Sequence, residues 1–241
     1  MNRRIAFAWL AAALGIGLTA SLGAWQLRRA AEKLSLQAQW DSVIARAPES
    51  LAPKALDDIA ARAPVRVRAR GQWLNASTVW LENRPHDGRA GFWMITPLRL
   101  ADEGAAVLVF RGWAPRFPAD RLRVPQFAPA SGEVDVEGVA VPGLSKLLEL
   151  GKASYATPLP AVWQNLDYAV FEAASGIKVA RFVVHQTDPA RDGEPLTRQP
   201  LRIAVGVDRH YGYAVTWFSL AALIAGLTVF FGWRARGQRN R

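Results

Sequence analysis

The chain is 241 residues long and 51% hydrophobic, carries a formal net charge of +10, and contains no cysteine. Disulfides, thiolate metal sites and cysteine catalysis are therefore excluded. Six of the 30 basic residues lie at the ends (Arg3, Arg4, Arg234, Arg236, Arg239 and Arg241), which leaves 24 basic against 20 acidic groups between them. A residual excess of about +4 spread over the middle is not the footprint of a nucleic-acid binder, and none is expected as a partner.

Residues 5–25 and 213–233 are apolar stretches without a charged side chain. At 1.5 Å per residue a helix over either would reach roughly 31 Å, enough to cross a hydrocarbon core. The sequence thus predicts a two-pass membrane protein whose layout is a terminus at 1–4, a first span at 5–25, a domain at 26–212, a second span at 213–233 and a basic tail at 234–241. A cleaved secretory signal is the rival reading of the first segment, since Met1-Asn2-Arg3-Arg4 resembles an n-region. The apolar run is longer than a usual signal core. Ala11, Gly15, Thr19 and Gly23 also recur every four residues and offer a ridge for a second helix. Ala222 and Gly226 repeat that spacing in the second segment. Terminal arginines place both ends in the cytoplasm, although Arg28, Arg29 and Lys33 weigh the other way at the first span. The expected location is a bacterial inner membrane, with the central domain in the periplasm.

Past the first span, residues 27–47 read as a helix leaving the membrane, ended by Pro48, and residues 55–62 as a short second helix. The period then changes to two. In Val65-Arg66-Val67-Arg68-Ala69-Arg70 the arginines share one face, which reads as a solvated sheet surface rather than an anion-binding stripe. Further strands are predicted at 78–82, 92–100, 106–111, 133–141 and 179–186. They are separated by turns such as Pro85-His86-Asp87-Gly88 and Asp102-Glu103-Gly104. Residues 167–174 form a short helix stopped by Gly176. The proline-rich 114–132 is expected to be an extended excursion and 189–200 a loop. The fold class is α+β: two transmembrane helices flank a mainly antiparallel β domain that can curl into a barrel-like form.

Nothing in this domain predicts catalysis. The chain has three histidines, and no nucleophile elbow, phosphate loop, dinucleotide fingerprint or HExxH sequence accompanies them. No catalytic residue is assigned, and the protein is not expected to be an enzyme. His86 lies in a turn and His185 at a strand end. His210 stands apart at the mouth of the second span, where His210, Tyr213 and Trp217 fall at i, i+3 and i+7. Imidazole is an axial ligand for haem iron, and flat rings can pack on a porphyrin. The same residues also fit an interfacial aromatic belt, with Trp25 as counterpart on the first helix. From these residues alone the belt is the better reading.

Taken in order, several short blocks resemble the surfeit-locus protein 1 family. They are Leu22-Gly23-Ala24-Trp25-Gln26-Leu27-Arg28, Arg70-Gly71-Gln72-Trp73, Leu81-Glu82-Asn83-Arg84, and Gly91-Phe92 with Thr96-Pro97-Leu98. Val107-Leu108-Val109-Phe110-Arg111-Gly112-Trp113-Ala114-Pro115 is the sharpest of them. Val136-Glu137-Gly138, Trp163-Gln164-Asn165-Leu166-Asp167 and the segment from His210 to Phe218 follow. Phe110 stands where the family pattern has an asparagine, and Arg209 also departs from a common asparagine. The resemblance implies an assembly factor for haem–copper cytochrome oxidase that binds haem a and assists its delivery to the catalytic subunit. It implies His210 as the axial ligand of the haem iron. Tyr213 and Trp217 would be packing walls, and Trp25 and Gln26 would line the opposite helix. Arg111, Gly112 and Trp113 would serve folding or partner docking. The implied partners are the oxidase catalytic subunit, haem a synthesis or other assembly proteins, and the lipid bilayer. The alternative is a membrane-anchored scaffold that contacts oxidase subunits without ligating haem.

Overall fold

The computed structural model describes residues 3–101, 105–117, 119–120, 123–125, 132–148, 155–190, 194–198 and 206–239. Two compact units share the chain. One comprises Met1–Trp40 with Arg202–Arg241, the other Asp41–Leu201.

The first unit is a pair of helices. Helix α1 runs from Arg3 to Ile44 and α4 from Val207 to Arg239, 42 and 33 residues respectively. At 1.5 Å per residue these are about 63 and 50 Å long, more than a bilayer core requires. The expected exit helix at 27–47 is therefore continuous with the first apolar stretch, because neither glycine nor proline interrupts residues 24–47. Thr19 bonds the Gly15 carbonyl at 2.8 Å, Thr216 the Gly212 carbonyl at 3.0 Å, and Thr228 the Ile224 carbonyl at 2.6 Å. Each of these three threonine hydroxyls thus finds its acceptor one turn back, as an environment without water demands.

The second unit holds eight strands in the order β1-β2-β6-β8-β5-β4-β3-β7, with an additional β2–β4 pairing. The strands are β1 (Glu49–Ser50), β2 (Val65–Trp73), β3 (Val79–Leu81), β4 (Gly91–Leu100), β5 (Ala106–Pro115), β6 (Glu133–Val141), β7 (Ala161–Trp163) and β8 (Val179–Gln186). Strand β2 pairs with β6 along Val65 to Gln72 and with β4 at Gly71 to Trp73, so the pairings β2–β6–β8–β5–β4 return to β2. Among the described residues β1–β2, β3–β7 and β5–β8 are parallel and the rest antiparallel. Helices α2 (Leu56–Arg62) and α3 (Tyr168–Ser175) complete the unit.

Alternation along β2 decides what lies inside. Val65, Val67 and Ala69 enter a core with Leu98, Leu100, Val107, Val109, Val134, Val136, Phe182 and Val184, to which α2 adds the fully buried Ile59. Arg66, Arg68 and Arg70 take the other face, where carboxylates from β6 meet them. Glu137 pairs with Arg68 and, at 3.4 Å, with Arg66, while Glu133 pairs with Arg70 at 2.6 Å. The expected solvated face is thus a cross-strand ion ladder. Arg66 also donates to the carbonyls of Ile44 (2.8 Å) and Arg46 (2.9 Å), closing the C-terminal end of α1. Asp167 caps α3 by accepting from the backbone N–H of Ala169 and Val170, and Gly176 ends it at φ 70°. Most of the excursion at 114–132 and the turn at 102–104 lie outside the described residues.

Candidate functional site

The helix pair is built on small residues. Thr19, Gly23 and Ala30 are buried on α1, at intervals of four and seven, and Val207, Ala214 and Ala221 on α4, at intervals of seven. A Cβ added at Gly15 would meet Ile224 at 3.5 Å, one at Gly23 would meet Phe218 at 2.8 Å, and one at Gly232 would meet Trp9 at 2.9 Å. Numbers rise on one helix as they fall on the other, so the two run antiparallel. Gly15, Thr19 and Gly23 join the seam as the four-residue ridge predicts, whereas Ala11 is exposed. Ala222 and Gly226 do not join it, and both are exposed. Two helices kept in contact over many turns follow a 3.5-residue repeat, and on α4 that repeat selects Ala214 and Ala221 instead.

Near the N-terminus of α4 the seam turns polar. His210 Nδ1 lies 2.7 Å from Gln26 Oε1, a contact 184 residues apart in sequence. Both side chains are half-buried, as is Trp217 further along the same seam. Tyr213 is 57% exposed and Trp25 51% exposed, so both face outward from the pair. The structure therefore gathers His210, Gln26 and Trp217 along one seam, and places Tyr213 and Trp25 on the surface that lipid would cover. Apolar Phe218 and Leu220, each 40% exposed, border that surface.

Could this place hold a metal group? Among the described residues no cluster of three or more His, Cys, Asp and Glu exists. A bare ion would find too few protein ligands. A macrocycle that brings its own equatorial ligands needs one imidazole from the protein. His210 offers that, since one ring nitrogen is engaged by Gln26 and Nε2 has no hydrogen bond among the described residues. The apolar flanks suit a broad hydrophobic ligand.

Arg111, Gly112 and Trp113 lie inside the β unit. Arg111 is 1% exposed, its guanidinium sits 4.4 Å over the Trp73 ring, and it forms an ion pair with Glu194. Arg198 holds Glu194 from the other side at 3.0 Å and donates to the Arg111 carbonyl. Burial alone would push the Glu194 carboxyl up, but the two guanidiniums outweigh it and hold it below the usual carboxylate range. Trp113 exchanges backbone hydrogen bonds with Thr197 at 2.9 and 2.7 Å, and its indole donates to the Arg84 carbonyl at 2.7 Å. Gly112, at φ 148°, has the Thr197 carbonyl 2.9 Å from where its Cβ would be. The block thus anchors the 194–198 strap rather than facing outward. Sequence reasoning misses Glu194 and Arg198, because their spacing in a loop gives no sign that Arg111, 83 residues away, will meet them.

The other histidines sit apart from any such arrangement. His86 lies 5.1 Å from the Trp113 ring and beside the exposed Asp87. His185 packs edge-on against Phe110 at 4.7 Å. Phe110, the departure noted above, is 1% exposed and also stacks 5.1 Å from Trp93.

Both α1 and α4 contain segments long and apolar enough to cross a membrane. Paired antiparallel on small residues and covalently attached to a mainly antiparallel β unit, they give a layout compatible with a two-pass membrane protein. The profile of the SURF1 family matches residues 13–222, and the chain belongs to that family. It is 28% identical to a SURF1-like protein of Monosiga brevicollis, covering 92% of this chain and 86% of that one. It is 24% identical to a SURF1-like protein of Rickettsia felis (88% and 90% covered). Surfeit locus protein 1 of Rattus norvegicus is 26% identical, with 83% and 68% covered.

Proposed function

We propose that this protein is a non-enzymatic assembly factor for haem–copper cytochrome oxidase. It binds haem a transiently at the Gln26–His210 lip of the helix pair and assists its delivery to the oxidase catalytic subunit. Family membership supports the assembly role. The observation that carries the haem reading is the single imidazole held across the helix seam with one ring nitrogen uncommitted. Haem a would supply an iron centre able to accept an imidazole ligand, and an apolar isoprenoid tail. His210 would ligate the iron, Trp217 would supply a flat wall on the seam, and Tyr213 and Trp25 would border the outer, lipid-facing surface. Exclusion of water by the apolar flanks would strengthen a bond between the imidazole and the iron. The terminal arginines support cytoplasmic ends, a periplasmic β domain and an inner-membrane location.

The test is an absorption spectrum. The full chain, purified from a host that makes haem a, is expected to carry haem absorption, and His210→Ala is expected to lose it. An apo-like spectrum of the unmutated protein would leave the scaffold that never ligates haem. An unchanged spectrum in the variant would remove His210 as the ligand.

A further inference from the structure

The hydrogen bond between Gln26 and His210 has a direction, and the direction has a chemical consequence. A carbonyl oxygen can only accept, so with Gln26 Oε1 2.7 Å from Nδ1 the ring proton must sit on Nδ1. The neutral imidazole then carries its lone pair on Nε2, the nitrogen that has no hydrogen bond among the described residues. A histidine in water favours the opposite tautomer, with the proton on Nε2, which would close that atom to a metal. We infer that Gln26 is a positioning residue: it fixes His210 as the Nδ1–H tautomer and so presents Nε2 as the iron ligand. This rests on the haem reading above and goes beyond it by naming the ligand atom and what selects it.

The chemistry of the partner also sets the strength of the ligand. Metal-bound histidines commonly donate their second ring N–H to a carboxylate or a carbonyl, and a carboxylate makes the ring more basic. Gln26 is a neutral amide, which orients the ring without adding that charge. It gives a ligand sufficient to hold a haem and weak enough to give it up, as a carrier needs. Gln26 is put on the seam by helical spacing, three residues after the buried Gly23 and four before the buried Ala30. It turns into the seam, and the 2.7 Å contact is made by two side chains on different helices. Correct presentation of Nε2 therefore depends on both helices being paired. A chain with its second helix displaced would have the histidine but not the tautomer.

The experiment has two arms. First, ring-15N histidine spectra of the full apo chain in detergent, assigned with His210→Ala, report the tautomer without any haem. The Nδ1–H form is expected for His210, with a shift to Nε2–H in Gln26→Leu. An Nε2–H tautomer in the unmutated chain overturns the proposal. Second, haem a is titrated into the unmutated chain, Gln26→Leu and Gln26→Glu. Gln26→Leu is expected to weaken binding by about 10- to 100-fold, the usual effect of losing such a partner. Gln26→Glu is expected to restore the Nδ1–H form and the affinity, and to lower the reduction potential. Equal affinity in Gln26→Leu and the unmutated chain overturns the proposal, as does a Gln26→Glu variant that binds no better than Gln26→Leu. If the unmutated chain takes up no haem a, the functional reading fails, and the first arm still decides whether Gln26 directs the ring.

Discussion

The ring of Phe218 lies against the backbone of Gly23, so that a Cβ at Gly23 would fall 2.8 Å from Phe218 Cζ. This contact and the one between Gly15 and Ile224 set how closely α1 and α4 approach. Three residues beyond Gly23 on α1 comes Gln26.

Gly23→Leu is accordingly expected to part the helices near the histidine. The chain has no cysteine of its own, so a Gly15→Cys, Ile224→Cys pair reports the seam directly. A short bifunctional thiol reagent is expected to link the two cysteines, since the side chain at 224 reaches to 3.5 Å from a Cβ at Gly15. Adding Gly23→Leu should leave both thiols open to maleimide. Undiminished cross-linking would show that the Gly23–Phe218 contact does not control the pair.

Gly71→Ala tests the closure of the strand cycle. Its Cβ would lie 2.0 Å from the Arg99 carbonyl oxygen, a backbone atom that cannot swing aside. Separating β2 from β4 to admit it is expected to cost about 1–3 kcal/mol. Gly143→Ala, where a Cβ meets nothing within 4 Å, is the matched control. Urea titration followed by tryptophan fluorescence reads the difference, and equal midpoints would mean that β2–β4 contact is not needed.

Glu194→Gln removes the carboxylate between Arg111 and Arg198. Breaking a buried pair of this kind typically costs about 3–5 kcal/mol. The carboxyl is held below the usual range in the folded chain, so its contribution is complete above the unfolded carboxylate pKa and disappears as pH falls through the folded one. The unmutated chain should therefore lose stability on the acid side of pH 4, and Glu194→Gln should show less of that acid loss along with a lower midpoint at pH 7. A variant as stable as the parent at pH 7 would assign the strap's hold to the backbone bonds of Thr197.

The proposed topology makes its own prediction. A C-terminal alkaline phosphatase fusion should be inactive, because the tail of arginines would keep the enzyme in the cytoplasm. Phosphatase activity would invert the arrangement.

Much of the β unit is legible from alternation and capping. Strands at 133–141 and 179–186 occupy the residues expected of them, and α3 starts after Asp167 and stops at Gly176. β1 and β7 escape such a reading. They are two and three residues long, too short to show a period, and each is held by a parallel neighbour, β1 by the next strand and β7 by one far back in the sequence. In the helix pair the type of residue was readable but the face of α4 was not. Small residues occur all round that helix, and only the partner helix decides which are covered. His210 announces itself by its chemistry, whereas its bond to Gln26 depends on two segments 184 residues apart. The Arg111–Glu194–Arg198 cluster is hidden for the same reason.

The position of β8 governs the sequence of events during synthesis. Among the described strands it is the last made, yet it lies between β6 and β5. Until it emerges, those two strands each carry an unpaired edge and no neighbour joins them, so the cycle lacks its keystone. Docking β8 also requires a parallel match to β5, a pairing of long loop closure and slow formation. α4 begins at Val207, soon after β8 ends at Gln186. Completion of the β unit and emergence of the second apolar helix therefore fall in the same brief interval of translation. A truncation between Val141 and Val179 would leave β5 and β6 each with an open edge, a substrate for proteases rather than a partial domain.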